Sequence, residues 1–222
     1  MKKKARAVLQ PTRAGMLVQL RFDTGLTSEQ YVNEQGWLRA RLTRCPRHPR
    51  GGCGFARHGT YARKRPAGTR IARWYCPRAH CTWSLLPDPL AARFPGTLQE
   101  LEDVVAAVEC SRSLEEAADR LRPDEVSLPS ALRWITRRVR LVRPLLGLLV
   151  GLLPLLGGAP TVHAFRQRLA CECVLLSLRA NLALPLSALP RPLGFDPARR
   201  GGGESTKVFQ QHLGPDPPAA AR

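Results

Sequence analysis

The amino-acid sequence predicts an α+β fold in which a small N-terminal β module precedes an all-α bundle. Short runs between residues 16 and 75 alternate apolar and polar residues, as half-buried strands do. Four of the seven cysteines fall in this part, in the pairs Cys45/Cys53 and Cys76/Cys81. From residue 97 onwards, apolar residues recur at helical spacing behind helix-capping sequences.

These observations divide the chain into four predicted parts. The N-terminal part is a flexible basic arm, and the C-terminal part is a disordered tail that is rich in Pro, Gly and Ala. The predicted bounds are 1–15 for the arm, 16–88 for the β domain with its flanking strands, 97–184 for the helical domain and 185–222 for the tail.

Four strands and one helix are predicted inside the β domain. The helix, Ser28–Gln35, ends before Gly36, since glycine commonly follows the last turn of a helix. The strands are assigned from their alternating pattern, and the last two flank a Pro-Ala-Gly turn. They are Met16–Phe22, Trp37–Leu42, His58–Arg65 and Thr69–Tyr75.

The spacing of the four cysteines indicates a structural metal site. Two pairs of soft ligands joined by a basic, strand-like segment are typical of a zinc ribbon, in which four ligands hold Zn²⁺ in a tetrahedron. A disulfide framework is disfavoured because no apolar export signal follows the basic N-terminus. The spacings within the pairs exceed that of the usual Cys-x-x-Cys knuckle, so two histidines remain alternative ligands. The predicted ligands are Cys45, Cys53, Cys76 and Cys81, with His48 and His80 as the alternatives.

The net charge of +18 indicates a polyanionic partner. Residues 35–87 contain twelve Arg or Lys and no carboxylate, and residues 126–143 contain five Arg and no carboxylate. Residues 98–125 between them hold nine acidic residues against three basic ones. Basic surfaces attract polyanions through the release of counterions. Duplex DNA is therefore the first predicted partner, and an anionic membrane surface is the second.

Arginines alternate with aromatic residues on the last two predicted strands. This pattern favours phosphate contacts combined with base stacking. A solvated arginine face, with the aromatic rings packed around the metal, explains the same pattern equally well. The arginines concerned are Arg63, Arg65, Arg70 and Arg73, which lie among Tyr61, Trp74 and Tyr75.

Three helices between residues 97 and 143 follow one another in the order of a helix-turn-helix. Thr97 and Ser113 open capping boxes, and Ser127 precedes the third helix. In a helix-turn-helix the last helix enters the major groove of DNA. A plain three-helix bundle with a basic last helix is the alternative. The residues predicted to contact DNA from one face of this helix are Arg133, Arg137 and Arg140.

Two further features lie downstream of these helices. The apolar run Leu145–Leu156 is shorter than the roughly 20 residues of a membrane-spanning helix. It predicts a core helix or a dimer surface, with a membrane segment as the less favoured alternative. A last helix is predicted from Thr161 to Ala180. The remaining thiols, all predicted to be core residues, are Cys110, Cys171 and Cys173.

With these elements in place, several short motifs stand out in residues 45–143. They are Cys45-Pro46, Cys53-Gly54, His58-Gly59 with Tyr61, Tyr75-Cys76 and Thr82-Trp83-Ser84, which runs into Leu85-Leu86-Pro87. In these motifs the region resembles the zinc-binding N-terminal region of bacterial insertion-sequence transposases and their helix-turn-helix accessory proteins. The resemblance implies site-specific binding to transposon or genomic DNA. We accordingly expect a protein of the cytoplasm and nucleoid that acts as a homodimer or beside a catalytic transposase subunit.

The sequence does not predict an active site. Strand transfer of the common type needs three carboxylates around two metal ions, but the acidic residues of 98–125 cluster at helix starts, where capping explains them. All three tyrosines precede residue 76, which disfavours a tyrosine recombinase. We therefore predict a DNA-binding factor without catalysis. The alternatives are a transposase or a fragment of one, an RNA-binding or ribosome-associated zinc ribbon, and a membrane-anchored regulator.

Overall fold

The computed structural model describes residues 16–153, 157–182 and 186–195. The predicted arm and residues 196–222 of the predicted tail lie outside the described residues. The α+β class is confirmed, because a four-stranded sheet is followed by several helices. The elements are β1 (Met16–Phe22), α1 (Ser28–Asn33), β2 (Ala56–Ala62), β3 (Arg70–Cys76), β4 (Cys81–Pro87), α2 (Leu98–Glu109), α3 (Leu114–Leu121), α4 (Leu128–Leu152), α5 (Val162–Leu169) and α6 (Val174–Asn181).

The sheet has the strand order β1-β4-β3-β2. Strand β1 pairs in parallel with β4, and the other two pairs are antiparallel. Sequence alternation did not predict β4, because its residues are buried almost without interruption instead of on one face only. A strand covered on both faces reads as a continuous apolar run. Trp83, the third residue of β4, lies between Val18 of β1 and Trp74 of β3.

The strand predicted at Trp37–Leu42 is wrong. This segment instead begins as a short 3₁₀ helix over Gly36–Leu38. A Cβ atom on Gly36 would lie only 2.3 Å from a ring carbon of Tyr31, so the chain passes too close to that ring to carry a side chain here. The Tyr31 hydroxyl donates to the carbonyl oxygen of Arg70 at 3.0 Å, which fixes α1 against the sheet. Tight local packing therefore replaces strand pairing in this segment.

The first two downstream helices begin at their predicted caps. The Oγ1 atom of Thr97 and the Oγ atom of Ser113 each accept a hydrogen bond from the backbone N–H three residues later. The third predicted helix and the apolar run that follows form one continuous helix, α4, of 25 residues and about 38 Å. The predicted core role of the run is confirmed for Leu145, Leu146 and Leu149, which are buried. In the described part of the chain, no helix combines the length and apolarity needed to cross a bilayer.

The single last helix predicted from Thr161 is instead two helices. Ala170 takes the left-handed conformation, with φ 46°, and ends α5 at this point. Cys171 and Cys173 consequently lie in the connection to α6 and are only half-buried. The prediction of a core position is wrong for Cys110, which follows the last residue of α2 and is exposed.

Part of the predicted tail packs onto the body of the protein. Leu189, Leu193 and Phe195 are buried, although the surrounding composition favours disorder. The fully buried side chain of Arg179 joins this segment to the end of the sheet. Its guanidinium donates to the carbonyl oxygens of Asp88 at 2.9 Å and Leu193 at 3.0 Å. The helices and the sheet are thereby connected through one charged side chain.

Candidate metal centre and basic surfaces

Three cysteines and one histidine converge beside the sheet. The ligand atoms of Cys45, His48, Cys53 and Cys76 all lie within 4.8 Å of one another. Three of these residues come from the loop before β2, and Cys76 is the last residue of β3. The three thiols are buried, and the imidazole is half-buried. The four residues form a group that is suited to bind a metal ion.

The spacing of the ligand atoms fits tetrahedral coordination. The Nδ1 atom of His48 lies 3.5 Å from the Sγ atoms of both Cys45 and Cys76. Metal–sulfur bonds of about 2.3 Å and metal–nitrogen bonds of about 2.05 Å place sulfur and nitrogen ligands about 3.5 Å apart in a tetrahedron. The two sulfur–nitrogen distances at His48 therefore match those around a tetrahedral metal ion.

Tight turns in the loop before β2 bring the ligands together. The backbone N–H of His48 donates to the Cys45 carbonyl at 3.1 Å, so the chain reverses between these two ligands. Gly54, with φ +67°, directly follows Cys53, and a Cβ atom there would lie 3.0 Å from the Pro77 ring. A glycine at this position lets the loop approach the turn that follows β3.

The environment of Cys76 favours the thiolate, which is the form that binds metals. Burial by itself raises the pKa of this thiol. Hydrogen bonds from the backbone N–H of Ala79 and from the thiols of Cys53 and Cys45 outweigh burial and lower the pKa of Cys76 below its ordinary value. The Ala79 N–H lies 3.4 Å from the Cys76 sulfur. At Cys53, by contrast, burial raises the pKa of the thiol.

The predicted ligand Cys81 lies next to the group but is not one of its four members. It is the first residue of β4 and pairs directly with Cys76 across the antiparallel ladder. Burial raises the pKa of its thiol. The alternative ligand His80 is exposed, and its Nδ1 atom lies 3.4 Å from the Tyr75 hydroxyl. His48, the other alternative, takes the fourth place, and its Cys-x-x-His spacing from Cys45 was the available sequence signal.

The arginines predicted on the third helix lie together on the surface of α4. Arg133, Arg137 and Arg140 are all exposed, at spacings of four and three residues that place them on one face. Arg133 donates to the hydroxyl of Ser130 at 3.3 Å. Among the described residues, none of the three forms an ion pair with a carboxylate.

The four arginines predicted beside the metal site have different environments. Arg63 is half-buried and donates to the carbonyl oxygens of Ala91, at 3.1 Å, and Phe94. We therefore infer that its guanidinium serves the fold, while its predicted contact with DNA phosphate stays a prediction. The guanidinium of Arg73 lies 5.5 Å from the centre of the Tyr61 ring. Arg65 is half-buried, and Arg70 is the one of the four that is exposed.

Comparisons of the chain with protein-family models, with curated proteins and with solved structures found no match. The resemblance to insertion-sequence transposases thus stays a prediction.

Proposed function

We propose that this protein is a zinc-dependent DNA-binding factor without an active site of its own, and that it serves transposition or its regulation. The observation that carries the proposal is the row of three exposed arginines on α4, which no described carboxylate neutralises. Duplex DNA is the proposed partner, together with a second copy of the chain or a catalytic transposase subunit. The proposed location is the cytoplasm and the nucleoid.

The donor set supports zinc as the metal. Three thiolates and one imidazole are soft ligands that favour zinc over magnesium or calcium. Because four protein ligands fill a tetrahedron, such a site has a structural role and leaves no position open for a substrate. Zinc bound there would cross-link the loop that carries Cys45, His48 and Cys53 to the end of β3.

The packing of α2, α3 and α4 supports a helix-turn-helix. The small buried side chains of Ala117 and Ala118 lie on α3, and Ala118 packs in one cluster with Ala131 and Ile135 of α4. The guanidinium of Arg122 donates to the Val126 carbonyl at 2.8 Å and closes the connection between the two helices. The N-terminal half of α4 is thereby held with its arginine face outward.

The length of this face suits direct contact with bases. At 1.5 Å per residue, the seven steps from Arg133 to Arg140 cover about 10 Å, roughly the rise of three base pairs. An arginine that binds guanine through two hydrogen bonds contributes about 1–3 kcal/mol of discrimination against other bases. We infer that Arg133 and Arg137, which are closest to the start of α4, read bases.

The alternative of RNA binding has its own support at the metal-proximal end of the sheet. The rings of His58 and Tyr75 meet edge to face with centres 5.7 Å apart. The Tyr75 hydroxyl contacts His80, and both histidines are exposed. Exposed aromatic rings within a basic surface can stack on unpaired bases.

Selection of sequences from random DNA duplexes tests the leading proposal. The zinc-loaded full-length protein is expected to enrich one motif, and Arg137→Gln is expected to flatten the preference at one position of it. The matched control is Arg120→Gln, which removes an equal charge from α3, where Arg120 pairs with Glu116 at 3.2 Å. If no motif is enriched and single-stranded RNA binds more tightly than duplex DNA, the RNA alternative replaces the proposal.

A further inference from the structure

A cleft lies where the α2–α3 connection meets the middle of α4. Its volume is about 420 Å³, within the usual range for a ligand site. The elements that form it differ from those that carry the metal ligands. Its lining combines an apolar floor with a basic rim. The floor contains Val108, Leu114 and Val139, and the rim contains Arg112, Arg140 and Arg143.

The three guanidinium groups of the rim have no internal counterion. All three arginines are exposed, and within the described ranges none has a carboxylate partner. Nearby acidic side chains are engaged elsewhere. Glu116 accepts the backbone N–H of Arg112 at 2.8 Å and the side chain of Arg120 at 3.2 Å. Glu109 accepts the first N–H groups of α5.

The two serine hydroxyl groups at this cleft already take part in hydrogen bonds of the fold. The Ser111 hydroxyl donates to the Ala107 carbonyl at 2.7 Å, and the Ser113 oxygen accepts the Glu116 N–H at 3.1 Å. The three arginines are the charged donors of the lining, which also includes Thr136. Like charges around one concave opening repel each other and concentrate a positive field, so an anion that enters the opening is stabilised.

We propose that this cleft is a phosphate-binding site. Guanidinium groups bind phosphate oxygens through paired hydrogen bonds, and three arginines line this one cleft. The floor of valine and leucine side chains fits the carbon skeleton attached to the phosphate, such as a sugar. The phosphate belongs either to the backbone of a nucleic acid or to a free phosphate compound. Only the first source rests on the proposed function, and it gives Arg140 a backbone contact beside the base contacts of Arg133 and Arg137.

The test uses the zinc-loaded full-length protein with ¹⁵N-labelled arginine side chains. Sodium pyrophosphate is titrated first, and the N–H signals of Arg112, Arg140 and Arg143 are followed by NMR. We expect these signals to shift together and to saturate. The double variant Arg112→Gln/Arg143→Gln is expected to weaken pyrophosphate binding at Arg140 about tenfold for each guanidinium lost. The control Arg120→Gln is expected to leave it unchanged.

Duplex DNA in a salt series is the second arm and identifies the source of the phosphate. If the backbone of DNA supplies it, the double variant lowers the slope of log affinity against log salt by about two, and Arg120→Gln does not. An unchanged slope with weakened pyrophosphate binding identifies a free phosphate compound as the ligand. If the double variant and the control bind pyrophosphate equally well, the proposal that this cleft binds phosphate is refuted.

The two proposals fail separately in this design. A wild-type protein that does not bind DNA refutes the proposed function, while the pyrophosphate arm still decides the cleft. Because both substituted side chains are exposed, the backbone amide spectrum of the double variant is expected to match the wild type. That spectrum excludes misfolding as the cause of any lost binding.

Discussion

The imidazole of His48 lies between the thiols of Cys45 and Cys76, at 3.5 Å from each sulfur. Cys76 is 28 residues away from His48 in the chain, at the end of β3. This one side chain therefore connects the loop before β2 to the sheet. The position of His48 explains why the candidate ligands are three thiols and one imidazole, although the segment contains two pairs of cysteines.

The identity of the fourth ligand is the first prediction. We expect the wild-type protein to bind about one zinc per chain, and His48→Ala to weaken zinc binding because one of four ligands is lost. Cys81→Ser and His80→Ala are the matched controls and are expected to retain zinc. Measurement of bound metal after competition with a chelator checks this. If Cys81→Ser loses as much zinc as Cys45→Ser does, Cys81 is a ligand after all.

Removal of the metal is expected to loosen the ligand loop and leave the helices intact. Metal binding is expected to stabilise the segment between Cys45 and Cys76. The helices α2, α4, α5 and α6 share a separate apolar core. After chelation, amide hydrogen exchange should accelerate in residues 43–81 and stay unchanged in α4. Equal acceleration in both parts would contradict a local role for the metal. Re-addition of zinc provides the control for reversibility.

Arg63 and Arg70 form a matched pair with opposite expected effects. Arg63→Gln should destabilise the fold by about 1–3 kcal/mol, because the carbonyl groups of buried Ala91 and half-buried Phe94 lose their donor. Arg70→Gln should leave stability unchanged, since the side chain is exposed. If β3 contacts DNA phosphates, the same change lowers the salt slope of binding by about one. Chemical denaturation and binding titrations measure the two effects, and a stable Arg63→Gln protein would refute the assignment.

Arg179 should be among the most sensitive positions for stability. Its buried guanidinium donates to the carbonyl oxygens of Asp88, Leu90, Pro192 and Leu193. Arg179→Leu leaves these acceptors unsatisfied, and we expect a loss of at least about 3 kcal/mol in the free energy of unfolding. Arg120→Leu, at an exposed ion pair on α3, should cost less than about 1 kcal/mol. Similar losses for both variants in urea unfolding would contradict the anchoring role.

The thiols of Cys110, directly after α2, and Cys173, directly before α6, should differ strongly in reactivity. Burial and the neighbouring carboxylate of Glu102 raise the pKa of Cys173 to about 12, so its thiol stays protonated at pH 8 and gains reactivity only as pH rises towards that value. Cys110 is exposed. In zinc-loaded protein, alkylation of Cys173 should be roughly a thousandfold slower than that of Cys110. Peptide mass spectrometry over time measures both rates, and equal rates would exclude the protected environment.

The sequence by itself determined the features that depend on near neighbours. The capping residues Thr97 and Ser113 start their helices where predicted, because a cap involves only a backbone group three residues away. The apolar spacing of Leu145, Leu146 and Leu149 likewise identified a core segment. The cysteine pairs located the region of the metal site, since ligand chemistry is a property of residue type.

Only the tertiary structure decided which distant groups meet. His48 joins the ligand group in place of Cys81 because a turn folds it back towards the end of β3, whereas strand pairing places Cys81 beside Cys76. Two further features could not be predicted, namely the buried strand β4 and the hydrogen bonds that hold the guanidinium of Arg63 within the fold. Burial on two faces and a carbonyl partner 28 residues away arise from packing between segments, which short-range patterns do not encode.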